Sequence, residues 1–326
     1  MELSTRYLGL SLKNPLIVGA SPLTADVSHL VSCETHGAAA VVLRSLFQEE
    51  IAEGVEHLKS LSEGFHTEAA DYLTHFGTQQ ALEAYLSLVR EAKDRLSIPV
   101  IASLNCSSRE WWAEAASRIE EAGADALELN VAPFPSNDAE SSQEVEERIY
   151  DIVRTARSAV SVPIAVKVGP YFTSLGHLLA RIEALGAGGV VLFNRFYQVD
   201  IAPSTRRLVS GHRLSDPHEF SHTLRWTALE APRRNLDIVA SCGIHSGLDI
   251  AKAVLAGASA VQVVSAVLRH GFGHIEKMVH ELEAWLSEQG FSSLREAKGA
   301  LIRTPGEDEE RLSRLQYLIA LRGFGR

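Results

Sequence analysis

The sequence predicts an α/β fold, a single (β/α)8 barrel of the TIM type with a small N-terminal hairpin and a long loop after its second strand. Two series of short apolar runs alternate along the chain, and amphipathic helical patterns fill the intervals between them. Parallel strands alternating with helices are typical of α/β proteins. Eight such units in about 270 residues favour a closed barrel over an open sheet.

The first series of predicted strands follows glycine. A Gly-Ala step opens a short apolar run at four places, residues 37–43, 123–129, 186–192 and 257–263. Each run comes after an amphipathic stretch. We therefore expect the glycine to end a helix and the apolar run after it to be a buried strand.

The second series alternates with the first. Three of its four runs begin with proline, and the runs span residues 15–18, 99–102, 163–166 and 237–240. Proline fits the first residue of a strand, where its missing N–H removes no necessary ladder bond. The runs are continuously apolar, as expected for strands covered by helices. Together the two series predict eight strands.

Three segments lie outside this repeat. Tyr7 to Lys13 is predicted to form a hairpin that closes the bottom of the barrel, and Gln48 to Thr78 a long connection over its mouth. Glu310 to Leu321 has the pattern of a final outer helix. Because no linker composition interrupts the chain, we expect one domain over residues 1–326.

The composition narrows the class of protein. Of 326 residues 31 are basic and 41 acidic, a net charge of −10 without a basic run. This argues against nucleic-acid or anionic-membrane partners. The chain shows neither a signal-peptide pattern nor a membrane-spanning apolar run. Three distant cysteines, Cys33, Cys106 and Cys242, indicate reduced thiols, so we expect a cytoplasmic protein.

Polar residues end several predicted strands. In such barrels the loops after the strands build the functional site. Six polar residues follow five consecutive strands, a convergence that favours a ligand site: Arg44, Ser45, Asn105, Asn130, Lys167 and Asn194. Ala20 and Ser21, after the first strand, complete this part of the predicted set.

Lys167 is the most informative of these residues because it lies inside a buried apolar run. A buried ammonium group needs an anionic or electron-rich partner. That partner is either a bound ligand or a carboxylate of the barrel such as Glu128.

The ends of the last two strands indicate a phosphate site. Cys242 and Gly243 follow the seventh strand, while Ser265 and Ala266 follow the eighth. Gly243 allows a turn whose N–H groups face an anion. The alternative is that these small residues only close tight turns.

One further motif has a known chemistry. Residues 218–222 read His-Glu-Phe-Ser-His, which matches the zinc-binding H-E-x-x-H pattern. The motif lies at the start of the connection between strands six and seven, and no third ligand is evident nearby. We therefore predict no metal site.

Several strand-end motifs together resemble those of the dihydroorotate dehydrogenases, from about Leu8 to Gly299. The matching stretches are Leu12-Lys13-Asn14-Pro15, Val42-Leu43-Arg44-Ser45, Leu127-Glu128-Leu129-Asn130, Val166-Lys167 with Pro170-Tyr171-Phe172, and Ser241-Cys242-Gly243-Ile244. A subgroup called dihydroorotate dehydrogenase-like proteins is similar at Leu192-Phe193-Asn194-Arg195-Phe196-Tyr197-Gln198 and at Ser265-Ala266-Val267-Leu268-Arg269-His270-Gly271.

The resemblance implies an FMN-dependent oxidoreductase acting on CH–CH groups, as in the oxidation of dihydroorotate to orotate in pyrimidine biosynthesis. It implies that the FMN phosphate lies on the loops of Gly243 and of Ser265-Ala266, and that Lys167 lies near the flavin N1 edge. Asn130 and Asn194 would lie between the flavin and a small planar substrate. A homodimer and an electron-transfer partner are further implications. Arg44 stands where the family commonly has lysine.

The chain departs from the family at the base. In the family a Cys or Ser base lies three residues after the asparagine of strand four, but here that position is Pro133. Pro135 replaces a following asparagine that helps to hold the pyrimidine. Because proline cannot accept a proton, we expect an altered substrate. Substitute bases are Cys106, Tyr197 and residues of the long loop, namely Glu49, Glu50, His57, His66 and His75.

Two other functions stay open at this point. A phosphate-binding barrel lyase or isomerase without flavin would share the Gly243 and Ser265 loops, but it has no need of Lys167 with Asn194. A non-catalytic flavin-binding relative would fit the loss of the base at Pro133.

Overall fold

A computed structural model describes residues 1–47, 67–105, 109–131, 139–195, 199–210 and 214–301, together with Leu318 and Arg322. Thirteen strands occur in these ranges: β1 Thr5–Tyr7, β2 Leu10–Leu12, β3 Leu16–Val18, β4 Ala40–Val42, β5 Leu46–Phe47, β6 Val100–Asn105, β7 Ala126–Asn130, β8 Ile164–Val168, β9 Gly189–Leu192, β10 Val199–Ala202, β11 Arg207–Ser210, β12 Asp237–Ser241 and β13 Ala260–Val263.

Ten α-helices are described: α1 Val27–Thr35, α2 Thr67–Arg95, α3 Arg109–Glu121, α4 Ser142–Ala159, α5 Leu175–Ala184, α6 Phe220–Glu230, α7 Gly247–Leu255, α8 Ser265–His270, α9 Gly273–Glu288 and α10 Leu294–Ala297. Three short 3₁₀ turns lie at Pro22–Thr24, Pro217–Glu219 and Ala231–Arg233.

Eight parallel strands close into a barrel. Their order around it is β4, β3, β13, β12, β9, β8, β7 and β6, and β6 pairs back with β4 through Val100 and Val41. These are the eight runs that the sequence predicts, so the predicted (β/α)8 fold is confirmed. The two-residue strand β5 follows β4 in the chain and pairs in parallel with the end of β6, Leu46 with Leu104 and Phe47 with Asn105.

Proline and glycine lie at the ends of strands and helices, as the sequence predicts. The prolines lie one residue before β3, β6 and β8, and their carbonyl groups accept ladder bonds; Val261 N–H, for example, donates to Pro15 O at 2.8 Å. Gly37 and Gly257 follow α1 and α7 with φ of +100° and +96°, a left-handed conformation that glycine adopts without strain.

The predicted hairpin is also confirmed. Thr5 pairs with Leu12 across β1 and β2, and Tyr7 at the end of β1 and Leu8 in the turn are both buried beneath the barrel strands. The Leu8 N–H donates a 2.8 Å hydrogen bond to Asp237, the first residue of β12. The hairpin therefore covers the N-terminal end of the barrel, where it joins an apolar cluster with the inward-facing Ile17 and Val191.

Two details differ from the sequence prediction. The predicted loop from Gln48 to Thr78 is too long, because α2 already begins at Thr67; residues 48–66 lie outside the described ranges. The antiparallel hairpin β10–β11, after β9, was not predicted, since its two short strands lie outside the repeat of apolar runs. Of the predicted helical tail at 310–321, only Leu318 is described, and it is helical.

Helices surround the barrel, and the main core fills the layer between the helices and the strands. Fully buried side chains from successive helices form this layer: Leu30, Ile119, Ile149, Leu179 and Ile250. Within the described ranges, no helix is both long and apolar enough to span a lipid bilayer. The helices pack around the sides of the barrel and the hairpin covers its N-terminal end. The loops that follow the strands therefore form the opposite, C-terminal end.

Candidate active site

The C-terminal ends of the barrel strands surround a cavity of about 400 Å³. Eleven of the twelve residues that the sequence predicts for a cofactor site line it: Ala20, Ser21, Arg44, Ser45, Asn105, Asn130, Lys167, Asn194, Cys242, Gly243 and Ser265. The exception is Ala266, whose side chain is fully buried in the first turn of α8. Residues up to about 245 positions apart in sequence thus share one cavity because parallel strands end at the same rim.

A polar network forms the floor of this cavity. Lys167 Nζ donates a 3.0 Å hydrogen bond to Gln262 Oε1 and lies 3.6 Å from Glu128 Oε1. Gln262 Nε2 in turn donates to Glu128 Oε2. Glu128 is fully buried, whereas the Lys167 side chain retains some exposure. Lys167 therefore pairs with Glu128, the carboxylate that the sequence suggests as its partner. It also faces the cavity.

A second hydrogen-bonded chain fixes the amide groups on one side of the cavity. Asn194 Nδ2 donates to Asn130 Oδ1 at 2.6 Å, and Asn130 Nδ2 donates to Ser45 Oγ at 3.4 Å. The hydroxyl groups of Ser45 and Ser103 are 2.8 Å apart. The backbone of Ser103 is itself held by the Tyr85 hydroxyl group, which donates to its carbonyl oxygen at 3.1 Å. The two asparagines are thus oriented by contacts that run into the core.

The turn after β12 has an unusual backbone. Cys242 and Gly243 are consecutive left-handed residues, with φ of +69° and +72°. The Cys242 thiol donates to the carbonyl oxygen of Phe193 at 3.3 Å, and its burial raises the pKa of the thiol. A non-glycine residue in this conformation is strained, and such strain is common at functional sites. A protonated Cys242 is therefore a packing residue of the cavity wall and a poor nucleophile.

A loop that the sequence reasoning missed braces the end of β13. The Ser215 N–H donates to Ser265 Oγ at 2.9 Å, and the Ser215 hydroxyl group lies 3.2 Å from His245 Nε2. Leu214 and Ser215 both line the cavity. Nothing in the local sequence of residues 215–217 indicates that they fold over a distant strand end.

The charge of the cavity wall is opposite to that of the chain. Three cationic side chains line it, Arg44, Lys167 and Arg195, and no Asp or Glu is among the described lining residues. The chain as a whole has a net charge of −10. A cavity with this lining attracts anionic ligands by its electrostatic potential.

The H-E-x-x-H residues have other roles in this structure. Glu219 accepts two hydrogen bonds from the Arg195 guanidinium group, and His222 packs against the Phe193 ring at a centroid distance of 5.3 Å. Burial lowers the pKa of His222. Among the described residues, no group of three or more His, Cys, Asp and Glu side chains is placed to hold a metal ion.

Two cavity-lining residues that were not predicted, Gln262 and Arg195, could have been found from the sequence. Gln262 is a polar residue within an apolar strand, which is the same signal that identified Lys167. Arg195 directly follows Asn194. The candidate bases Cys106 and Tyr197, together with Pro133 and Pro135, lie outside the described residues.

The fold is a (β/α)8 barrel with a cavity at its strand ends that is lined by cationic and amide side chains. The chain matches the family model described as dihydroorotate dehydrogenase over residues 2–286. This protein therefore belongs to the dihydroorotate dehydrogenase family.

Named relatives agree with this assignment. The chain is 26% identical over 305 residues to the catalytic subunit of dihydroorotate dehydrogenase B (NAD(+)) of Pyrococcus abyssi, covering 92% of this chain and 99% of the relative. It is 29% identical over 309 residues to a putative dihydroorotate dehydrogenase A (fumarate) of Aeropyrum pernix, covering 91% and 97%.

A third relative has a different named reaction. The NAD-dependent dihydropyrimidine dehydrogenase subunit PreA of Escherichia coli is 22% identical over 330 residues, covering 95% of this chain and 80% of that protein. All three named relatives are oxidoreductases, so the chain belongs to an oxidoreductase family.

Proposed function

We propose that this protein is an FMN-dependent oxidoreductase that acts on a CH–CH bond of a small planar substrate other than dihydroorotate. The observation that carries the proposal is Lys167, a buried lysine at the floor of a cavity with cationic lining at the strand ends. A cavity of about 400 Å³ is within the range of small-molecule and cofactor sites, roughly 300 to 1,000 Å³.

The donor set of the cavity suits FMN. Lys167 Nζ has three N–H donors, of which one bonds to Gln262 Oε1, and Glu128 Oε1 lies 3.6 Å away. Because Lys167 lines the cavity, a further donor would face the electron-rich edge of the flavin ring. The turn of Cys242 and Gly243, together with Ser265, would hold the phosphate group, with Arg195 and Arg44 adding positive charge. When bound, FMN would accept or deliver hydride at its N5 atom.

The paired amides suit a substrate that carries amide or carbonyl groups. Asn130 and Asn194 are held in one orientation by their mutual hydrogen bond, so a ligand meets preorganised donors and acceptors. A dihydropyrimidine or another unsaturated cyclic carbonyl compound fits this description. The dihydropyrimidine dehydrogenase subunit among the relatives supports the first of these.

Pro133 argues against dihydroorotate as the substrate. Oxidation of dihydroorotate removes a proton from one carbon as hydride leaves its neighbour, and a positioned base typically contributes about 10²- to 10⁴-fold to such a step. Proline has no group that accepts this proton. Cys106 and Tyr197 remain the candidate replacements.

Electron transfer would require a partner. Two of the relatives are named as subunits of larger enzymes, which supports the proposal that a second polypeptide exchanges electrons with this chain. The homodimer implied by the resemblance remains a prediction.

The test begins with the visible absorption spectrum of the purified protein, before and after incubation with FMN. A flavin spectrum with one FMN per chain is expected in the wild type, and a weaker complex in Lys167→Met. Lys252→Met is the matched control, because Lys252 lies on α7 and pairs with Asp249 away from the cavity. A wild type that takes up no FMN would refute the proposal and favour a lyase or isomerase that uses only the phosphate site.

The second step distinguishes substrates. Dihydroorotate and dihydrouracil are added anaerobically to the flavin-loaded protein, and bleaching of the flavin absorption is followed. Slow or absent bleaching by dihydroorotate is the expected result. Oxidation of dihydrouracil removes a ring proton in the same way, so dihydrouracil should bleach the flavin only if Cys106 or Tyr197 serves as the base. Fast bleaching by dihydroorotate would show that another residue replaces the base, and bound flavin that no donor reduces would favour a non-catalytic flavin-binding protein.

A further inference from the structure

We propose that Glu128 and Gln262 are positioning residues that limit the positive charge which Lys167 presents to the cavity, and thereby set the preference of the site for oxidised over reduced flavin. The inference rests on the proposed function. It concerns Glu128, which lies behind the cavity lining, and Gln262, which lines the cavity beside Lys167.

The three side chains come from separate parts of the barrel. Glu128 is on β7 and Lys167 on the adjacent β8, whereas Gln262 is on β13, separated from β8 by β9 and β12. Gln262 therefore reaches across the barrel interior to contact both charged groups. Its amide is used in both directions, since Oε1 accepts from Lys167 and Nε2 donates to Glu128.

The network is closed from below and open from above. Glu128 is 0% exposed and does not line the cavity, while Lys167 and Gln262 (2% exposed) both line it. One carboxylate oxygen, Glu128 Oε1, has no hydrogen-bond partner among the described residues, and the Lys167 ammonium group is 3.6 Å away from it. The carboxylate thus acts on the ammonium group mainly through its charge, at a distance too long for a hydrogen bond.

The consequence follows from charge balance. Reduction of FMN by two electrons and one proton adds one negative charge to the ring system. Lys167 favours this added charge, whereas the carboxylate behind it opposes it, and the burial of Glu128 limits the screening of its charge by water. Removing the charge of Glu128 should therefore favour the reduced form, and adding charge at position 262 should favour the oxidised form.

A purely structural role predicts a different pattern. If Glu128 only neutralises a buried lysine for folding, its removal weakens both oxidation states of the complex alike. Buried ion pairs are weak evidence for stability, so the two roles must be separated by measurement. The ratio of the two dissociation constants separates them, because a general loosening of the site cancels in that ratio.

The experiment measures the dissociation constants of oxidised and reduced FMN for Glu128→Gln and Gln262→Glu. Glu128→Gln is expected to shift the ratio at least tenfold towards reduced FMN, which corresponds to about 30 mV in a two-electron potential. Gln262→Glu is expected to shift it in the opposite direction. Glu230→Gln is the matched control: Glu230 is a buried carboxylate paired with Arg234 on the outside of the barrel, and the ratio should stay within twofold.

The outcomes distinguish the inference from the proposed function. A wild type that binds no FMN overturns both. A wild type that binds FMN, with a ratio that either variant leaves unchanged or that both shift in one direction, overturns the inference alone. If Glu128→Gln does not fold, Gln262→Glu still tests the inference. Its ratio of dissociation constants should shift towards oxidised FMN.

Discussion

The Arg195 guanidinium group is fixed by Glu219 through two hydrogen bonds, 3.2 Å from Nε to Oε2 and 3.1 Å from Nη2 to Oε1. Arg195 lines the cavity, while Glu219 lies in the turn before α6 and does not. A paired fork of this kind restricts the guanidinium group to one orientation. The glutamate of the H-E-x-x-H motif therefore orients a cationic side chain of the cavity wall.

The two residues of this pair should affect the affinity for FMN differently. Arg195→Ala should weaken FMN binding about tenfold, close to 1.4 kcal/mol, because a cation of the cavity wall is lost. Glu219→Gln should leave the affinity unchanged or increase it, since it removes a negative charge near the same wall. Titration of FMN at low and high salt measures both effects, and high salt should reduce them. Equal weakening by both variants would show that the pair acts only as a structural clamp.

Gly243→Ala should destabilise the protein strongly. Gly243 has φ +72°, and a Cβ atom there would lie 2.3 Å from the backbone nitrogen of Phe220. Strain and overpacking together should lower the free energy of unfolding by about 2 to 4 kcal/mol. Gly290→Ala is the control, with φ +77° and open space around the added atom, and should cost about 1 kcal/mol. Urea unfolding measures the difference, and equal losses would contradict the predicted contact.

Tyr7→Phe should stabilise the protein. The Tyr7 hydroxyl group is fully buried at the barrel bottom and has no hydrogen-bond partner among the described residues. Removing an unsatisfied buried polar group should raise the free energy of unfolding by about 1 kcal/mol at pH 7. A loss of stability in urea unfolding would instead show that the hydroxyl group has a partner.

The same substitution should change the alkaline limit of stability. Burial, with the negative charges of Glu128 and Asp237, raises the pKa of Tyr7 well above 10.0. A group whose pKa is raised in the folded state contributes stability below its unfolded pKa and loses it as the pH rises further. The wild type should therefore lose stability above about pH 10 more steeply than Tyr7→Phe. Identical pH profiles would contradict this assignment.

Cys33 and Cys242 should be unreactive in the folded protein. Burial raises the pKa of Cys33 to about 12 and also raises the pKa of Cys242. In a Cys106→Ser variant, a thiol reagent at pH 8 should label Cys33 roughly a thousandfold more slowly than a free thiol, since only the thiolate reacts. Both cysteines should react after unfolding in urea. Rapid labelling of the native variant would contradict the predicted burial.

Local sequence features were sufficient to predict the barrel. Proline at strand starts, glycine after helices and continuous apolar runs each report a local backbone requirement, and all eight predicted strands are present. The strand-end rule then brought Asn130, Lys167 and Asn194 to one rim, because parallel strands in a closed barrel end together. The short hairpin β10–β11, which lies outside the repeat of apolar runs, was missed.

The tertiary structure decided which polar groups meet. Gln262 contacts Lys167 across the barrel, and Ser215 contacts Ser265 from a loop 50 residues earlier in the chain. The Glu219 carboxylate likewise pairs with Arg195 in spite of its place in a metal-binding pattern. Periodicity and turn chemistry determine the secondary structure and the face to which a residue belongs. The partner of a side chain depends on strand register and loop packing, which are properties of the whole folded chain.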